Sequence, residues 1–241
     1  MQLDRGLVFM SDTRTNSGVD NISVFRKMHQ WSVPGDRVIT ILSAGNLGTT
    51  QSVISLLEER TKVPEDRQPS ILEVPTMFQV AELVGGLVRD TIARHLEGGQ
   101  QAEAKFNATL IVGGQIAGMP PRLFLVYPEG NFIEASDDTP FMQIGETKYG
   151  RPILLRAYDP KMSFEDAVKL LLVSFDSTIK ANLSVGAPLD VSVYETDSLE
   201  PRPILRIDGG DEYFRSISDR WGDALRRAFQ SLPDFDFDGY R

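Results

Sequence analysis

The sequence predicts an α+β fold, a four-layer αββα sandwich in which two antiparallel sheets pack face to face between helices. Three observations carry that reading. Strand-like runs come in neighbouring pairs joined by tight turns, as antiparallel strands do. Segments with apolar residues at three- and four-residue steps alternate with those β blocks. No composition shift or linker interrupts residues 1–241, so the chain reads as a single domain. Periodicity alone also admits a generic α+β arrangement.

Taken in order, Gly6 to Asp12 is a short apolar strand and Val24 to Trp31 mixes apolar and polar positions like a half-buried one. Pro34-Gly35-Asp36 is a turn signal, and Arg37 to Ala44 is the second arm of a hairpin. Gly45-Asn46-Leu47-Gly48 breaks that strand, and Thr49 or Thr50 is expected to cap a helix to about Arg60. From Pro75 to about Leu96, the residues Val80, Val84, Leu87, Val88 and Ile92 line one face of a long helix, with Gly98-Gly99 ending it. Strands follow at 108–115, 122–127, 132–135 and 141–144. Ser163 opens a capping-box motif with Asp166, and Val168, Leu171, Leu172, Phe175 and Ile179 stripe the helix behind it. Strands return at 189–194 and 204–207, and a last helix from about Asp211 carries Phe214, Ile217, Trp221 and Leu225 on one side. The tail from Asp234 to Asp238 is acidic and peripheral.

Composition removes several classes of function. A formal charge of −9 lacks the basic face that nucleic acid requires. No apolar run is long enough to span a membrane, and residues 1–30 show no secretory signal, so a cytoplasmic location is expected. There is no cysteine, which eliminates disulfides, thiolate ligands and thiol nucleophiles together. His29 and His95 are the only histidines, with no zinc-binding spacing, and His95 reads as a helix-surface residue. No G-x-S-x-G elbow or phosphate-binding loop is present. Neither a metal nor a cofactor is therefore expected, and any catalytic base is not an ordinary histidine. Gly98-Gly99-Gln100 and Gly113-Gly114-Gln115 spell the tripeptide of peptide-release factors, but in an acidic chain with one at a helix end they read as coincidence.

Four short motifs stand in register: Ser11-Asp12-Thr13-Arg14-Thr15, Phe25-Arg26-Lys27, Ser43-Ala44-Gly45-Asn46, and Asn182-Leu183-Ser184-Val185-Gly186. Their order and spacing resemble those of proteasome β-subunits, of the N-terminal-nucleophile hydrolase superfamily. The wording around residues 11–28 is similar to Anbu, the ancestral-beta-subunit family of bacteria. The resemblance runs through the whole chain and implies the same αββα sandwich, homo-oligomeric assembly into a ring or spiral, and peptides or proteins as substrates.

It also implies a mechanism. In that family a threonine at the mature N-terminus attacks an acyl carbon while its own α-amine serves as base. An ordinary α-amine titrates near pH 7.7–8.0, so it accepts a proton without histidine. By resemblance, Lys27 is the lysine that favours the ionised hydroxyl, Asp12 orients it, and Gly45 supplies a backbone N–H to the oxyanion. Asn182 and Ser184 fall where the family places an Asp and a Ser near the α-amine. Asn182 departs from that carboxylate, and Glu146 stands near the position of another proteasome serine. Met1 is followed by Gln2, so trimming Met1 exposes no threonine. In relatives a short threonine-initiated strand precedes the matching segment. The expected function is thus a threonine-type peptidase or amidase subunit whose nucleophile lies outside this chain. The alternatives are a non-catalytic ring-forming scaffold of the same fold and a small-molecule amidase. Without the resemblance, Asp12 and Lys27 are simply a strand-end acid and a strand cation that form a surface salt bridge.

Overall fold

A computed structural model describes residues 1–16, 22–62, 69–97, 106–237 and 239. Two antiparallel sheets face each other across a shared core. The first runs in the order β1 (Gln2–Leu3), β2 (Gly6–Asp12), β10 (Leu189–Glu195), β11 (Leu205–Ile207). The second runs β5 (Met28–Val33), β6 (Arg37–Gly45), β7 (Ala108–Ile116), β8 (Arg122–Val126), β9 (Phe132–Glu134). A small ribbon, β3 (Arg14–Asn16) with β4 (Ile22–Val24), stands apart from both.

Strand alternation sorts the side chains into layers. Leu7 and Phe9 of β2 point between the sheets and meet Val38, Leu42, Ile111 and Leu123 of the opposite one. Val8 and Met10 point the other way, beneath helices α3 (Arg151–Ala157), α4 (Phe164–Ala181) and α5 (Glu212–Gln230). On the far side, Ile39, Ile41, Leu110 and Val112 are covered by α1 (Leu47–Lys62) and α2 (Met77–Glu97). Gly113 lets the sheets close, since a Cβ there would lie 2.7 Å from the Phe9 ring. The result is the predicted four-layer α+β sandwich.

At the end of β7 away from Gly45, Gln115 joins the sheets. Its side-chain oxygen accepts from Tyr194 Oη (2.6 Å) and Asp197 N (2.8 Å), and its Nε2 donates to Asp197 Oδ1 and Met119 O, both at 2.6 Å. Gln115 is almost completely buried, and all its polar capacity is used on this junction.

Several sequence expectations need correction. Residues 141–144 form no strand. Phe141 drops into the core beneath α3 and α4 while Met142 enters the intersheet core, so the alternation that suggests a strand serves two clusters instead of a ladder. The expected strand from Val24 to Trp31 is interrupted at 25–27, which places Lys27 on a connection. Asn46, not Thr49 or Thr50, caps α1 by accepting from Thr49 N at 2.9 Å. Helix α3, unforeseen, follows Gly150 and has a proline in its first turn. The Ser163 cap forms as its motif suggests, accepting from Asp166 N (3.0 Å), and Asp211, expected only as the approximate start of the last helix, caps α5 by accepting from Phe214 N (2.9 Å). On α5 only the first part of the stripe is covered: Phe214 is buried, whereas Leu225 and Phe229 are 50% and 76% exposed. Gly98-Gly99-Gln100 and Asp238 lie outside the described residues.

Candidate active site

The cleft opens where β2 and β6 both end. Asp12, the last residue of β2, aims its carboxylate at two partners. Oδ1 accepts from Lys27 Nζ at 2.7 Å, and Oδ2 accepts from the Gly186 N–H at 3.3 Å. Lys27 is itself fixed, because its carbonyl accepts from Ser43 N of β6 at 3.0 Å. The ion pair therefore ties the β2 end, the β4–β5 connection and the loop after α4 at one point. Side-chain exposures of 11% for Asp12 and 22% for Lys27 make it a sheltered pair, not the surface bridge that the bare sequence allows.

Gly45 closes β6 with φ +109°, a backbone region that side chains rarely enter. A Cβ would stand 2.3 Å from the Asn107 carbonyl oxygen. On one flank of this strand Asn46 N donates to Asn107 O (2.8 Å), and on the other Ser43 N donates to Lys27 O. Successive backbone N–H groups alternate sides in an antiparallel ladder, so the Gly45 N–H faces the Lys27 side.

Asn182 ends α4, its backbone N–H donating to Thr178 O at 2.8 Å. Its Oδ1 accepts from Ser184 N (2.9 Å) and Ser184 Oγ (2.7 Å), while its Nδ2 donates to Glu146 Oε2 at 2.8 Å. Glu146 Oε1 accepts from Lys148 N at 2.9 Å. That backbone donor first, and the Asn182 amide second, hold the Glu146 carboxyl below its ordinary range.

These residues surround a cleft of about 750 Å³. Asp12, Lys27, Gly45 and Ser184 line it, so the structure brings together four of the sequence-predicted residues. Asn182 stands behind Ser184 without lining the cleft, and Glu146, which by resemblance stands near the position of another proteasome serine, does line it. Two other contributors were not foreseen. Gly186 supplies the second donor to Asp12, and Arg14 fills the space where a Gly186 side chain would go while donating to Leu183 O at 3.1 Å. Both stand inside the four motifs, Arg14 in Ser11–Thr15 and Gly186 in Asn182–Gly186, but the sequence assigns neither a role. Ser11 Oγ, Thr15 Oγ1 and Gln143 Oε1 are buried along the same walls without a hydrogen-bond partner among the described residues. His29 lines the wall too, and burial pushes its imidazole below the ordinary value.

One wall is an open strand edge. Met1 N and Val8 O are 2.9 Å apart, as are Val8 N and Met1 O, and β1 pairs only with Gly6 and Leu7. From Phe9 to Asp12, β2 has β10 on one side and no strand partner on the other among the described residues. Among the described residues no group of three carboxylate or histidine side chains could hold a metal, and no helix is long and apolar enough to cross a membrane.

Comparison with known proteins gives a consistent result. The family model described as "Proteasome subunit" matches residues 1–194. The chain is similar to the solved structure of Anbu (ancestral beta-subunit) from Yersinia bercovieri, at 46% identity over 98% of each chain and a TM-score of 0.91. It is similar to Anbu from Hyphomicrobium sp. strain MC1, at 50% identity, 98% and 97% coverage and a TM-score of 0.88. A third similar structure is the helical assembly of the Anbu complex from Pseudomonas aeruginosa, at 44% identity, 100% and 98% coverage and a TM-score of 0.91. No curated protein sequence matches.

Proposed function

The chain belongs to the proteasome-subunit family, among the Anbu (ancestral beta-subunit) proteins, and from that membership we propose that it is a threonine-type peptidase subunit acting on peptides by acyl transfer. The observation that carries the reading is the Lys27–Asp12 pair, sheltered at the floor of a cleft beside the Gly45 N–H. A fixed ammonium next to a hydroxyl favours the alkoxide, and a backbone N–H aimed into the cleft suits a developing oxyanion.

The free edge of β2 supports a location for the nucleophile. Met1 stands opposite Val8, and each residue of an extended strand continuing β1 advances one place along β2, about 3.4 Å. A few such residues reach Asp12. A threonine there attacks the acyl carbon through Oγ, its α-amine takes the hydroxyl proton, and the tetrahedral intermediate leans on Gly45. Collapse expels the amine half of the substrate with that proton, leaving an ester that water hydrolyses with the same amine as base.

Self-assembly belongs to the same proposal. The Pseudomonas aeruginosa relative is described in a helical assembly, and the uncovered stripe of α5, with Leu225 and Phe229, suits a second copy of this chain.

The deciding experiment is the intact mass of the protein expressed from its own gene with the upstream DNA retained, followed by acylation with a threonine-directed electrophilic peptide. A threonine start and stoichiometric acylation are expected. A mass beginning at Met1 with no acylation would overturn the proposal in favour of a ring-forming scaffold.

A further inference from the structure

The carboxylate missing from position 182 is present in the cleft on another element. Asn182 closes α4, and its Nδ2 reaches across 36 residues of sequence to Glu146, in the loop before α3. An ionised carboxylate only accepts hydrogen bonds, so Glu146 fixes the Asn182 amide in the same orientation that the Ser184 N–H requires. The reverse orientation would set Asn182 Oδ1 against Glu146 Oε2, two acceptors with no proton between them. With Nδ2 committed to Glu146, Oδ1 is turned to Ser184, where it takes both the backbone N–H and the hydroxyl proton.

The consequence falls on Ser184. Its hydroxyl has one proton, already given to Asn182 at 2.7 Å, so toward the cleft it lines it offers lone pairs only. A hydroxyl restricted to accepting selects a donor such as an amine or ammonium. Glu146 forms no direct ion pair with a lysine, arginine or histidine side chain among the described residues. The Lys148 ammonium on the same loop acts on it through space.

We propose that Glu146 is the positioning carboxylate of this site: through the Asn182 amide it locks the Ser184 hydroxyl as an acceptor for the amine that takes the proton in acyl transfer. The assignment of that amine rests on the peptidase reading above; the Glu146–Asn182–Ser184 lock does not. The short turn from Asn182 to Ser184 alone accounts for the Oδ1 contacts, but it leaves Nδ2 without a task, and Glu146 supplies one. The depressed Glu146 carboxyl agrees with an ion that is charged throughout the working range.

The charged groups around the lock are few. Lys148 lies on Glu146's own loop, Arg14 packs against Gly186 and Leu183, and the Asp12–Lys27 pair occupies the floor. Arg26 and His29 line the cleft further along.

Two measurements test the proposal. In the threonine-bearing protein, the rate of acylation by an electrophilic peptide is followed against pH for wild type and Glu146→Gln. The amine must be neutral to accept a proton, and a nearby carboxylate favours its charged form. Removing that charge should move the acid limb to lower pH by about half a unit to one unit. Asp223→Asn, a remote carboxylate exchange on α5, should leave the limb in place. An acid limb unmoved by Glu146→Gln overturns the proposal. Independently of activity, the Asn182 side-chain amide resonances of the present chain should titrate with the Glu146 carboxyl in acid and stop doing so in Glu146→Gln. No such titration also overturns it. Titration without any acylation by the threonine-bearing protein overturns the catalytic assignment and the peptidase reading together, and leaves the lock as a structural clasp.

Discussion

In the proposed mechanism Lys27 and Gly45 serve the floor of the cleft in different ways, and their replacements should fail for different reasons. Lys27→Ala leaves the Asp12 carboxylate with only the Gly186 N–H and removes the ammonium that favours an alkoxide. Acylation of the threonine-bearing protein should vanish while its sedimentation profile stays unchanged; retained acylation would remove Lys27 from the mechanism. Gly45→Ala acts through the backbone. At φ +109° with Asn107 O only 2.3 Å from the new carbon, the strand end must shift. We expect a stability loss of about 1–3 kcal/mol in urea unfolding, together with lost acylation. His29 gives a pH signature. Burial holds its folded-state value below the 6.5 of the unfolded chain, so its contribution is present above that pH and fades as pH falls through the two values. Wild type should therefore lose more stability than His29→Gln between pH 7.5 and 5.5, measured by urea unfolding at each pH. Equal losses would count against the burial argument. Asp12, Lys27 and Gly45 are singled out through the four-motif resemblance; strand pattern by itself places Asp12 and Gly45 at the ends of β2 and β6 but puts Lys27 inside a strand that the structure breaks. The Glu146–Asn182 contact was not legible, since two loops far apart in sequence make it and neither has a periodicity of its own.

Elements were readable to the degree that one environment governed them. Strands β2, β6 and β7 and helices α2 and α4 follow their apolar patterns nearly to the residue, because each faces a continuous core. Residues 141–144 misled because their alternation feeds two cores, and α3 was hidden because a helix of seven residues offers barely two turns of pattern. Caps were legible where the side chain is the right type in the right place, as at Ser163. Ser163→Ala should cost about 1 kcal/mol, measured as a lower urea midpoint with the slope unchanged. A loss much smaller than that would mean that packing against Phe164 and its neighbours, not the cap, sets the start of α4.

The layered sandwich follows from summing those faces, but assembly does not, because a stripe that looks like core in sequence can be left for a partner. Leu225 and Phe229 are one helical turn apart on the uncovered part of α5. Phe229→Glu should leave the unfolding midpoint within experimental error and shift the sedimentation coefficient toward that of a single chain. An unchanged coefficient would place the contact elsewhere. The Gln115 junction bears on the whole molecule differently. It fastens the sheets at one end, and the cleft parts them at the other, so the sandwich is built like a clothes peg with its spring at Gln115. Asp12 and Gly45 sit on opposite arms at the jaws. Amide exchange should be slowest beside the spring and quicken toward the mouth. A change that slackened the spring, such as Gln115→Ala, would misalign the jaws without touching a single residue in them.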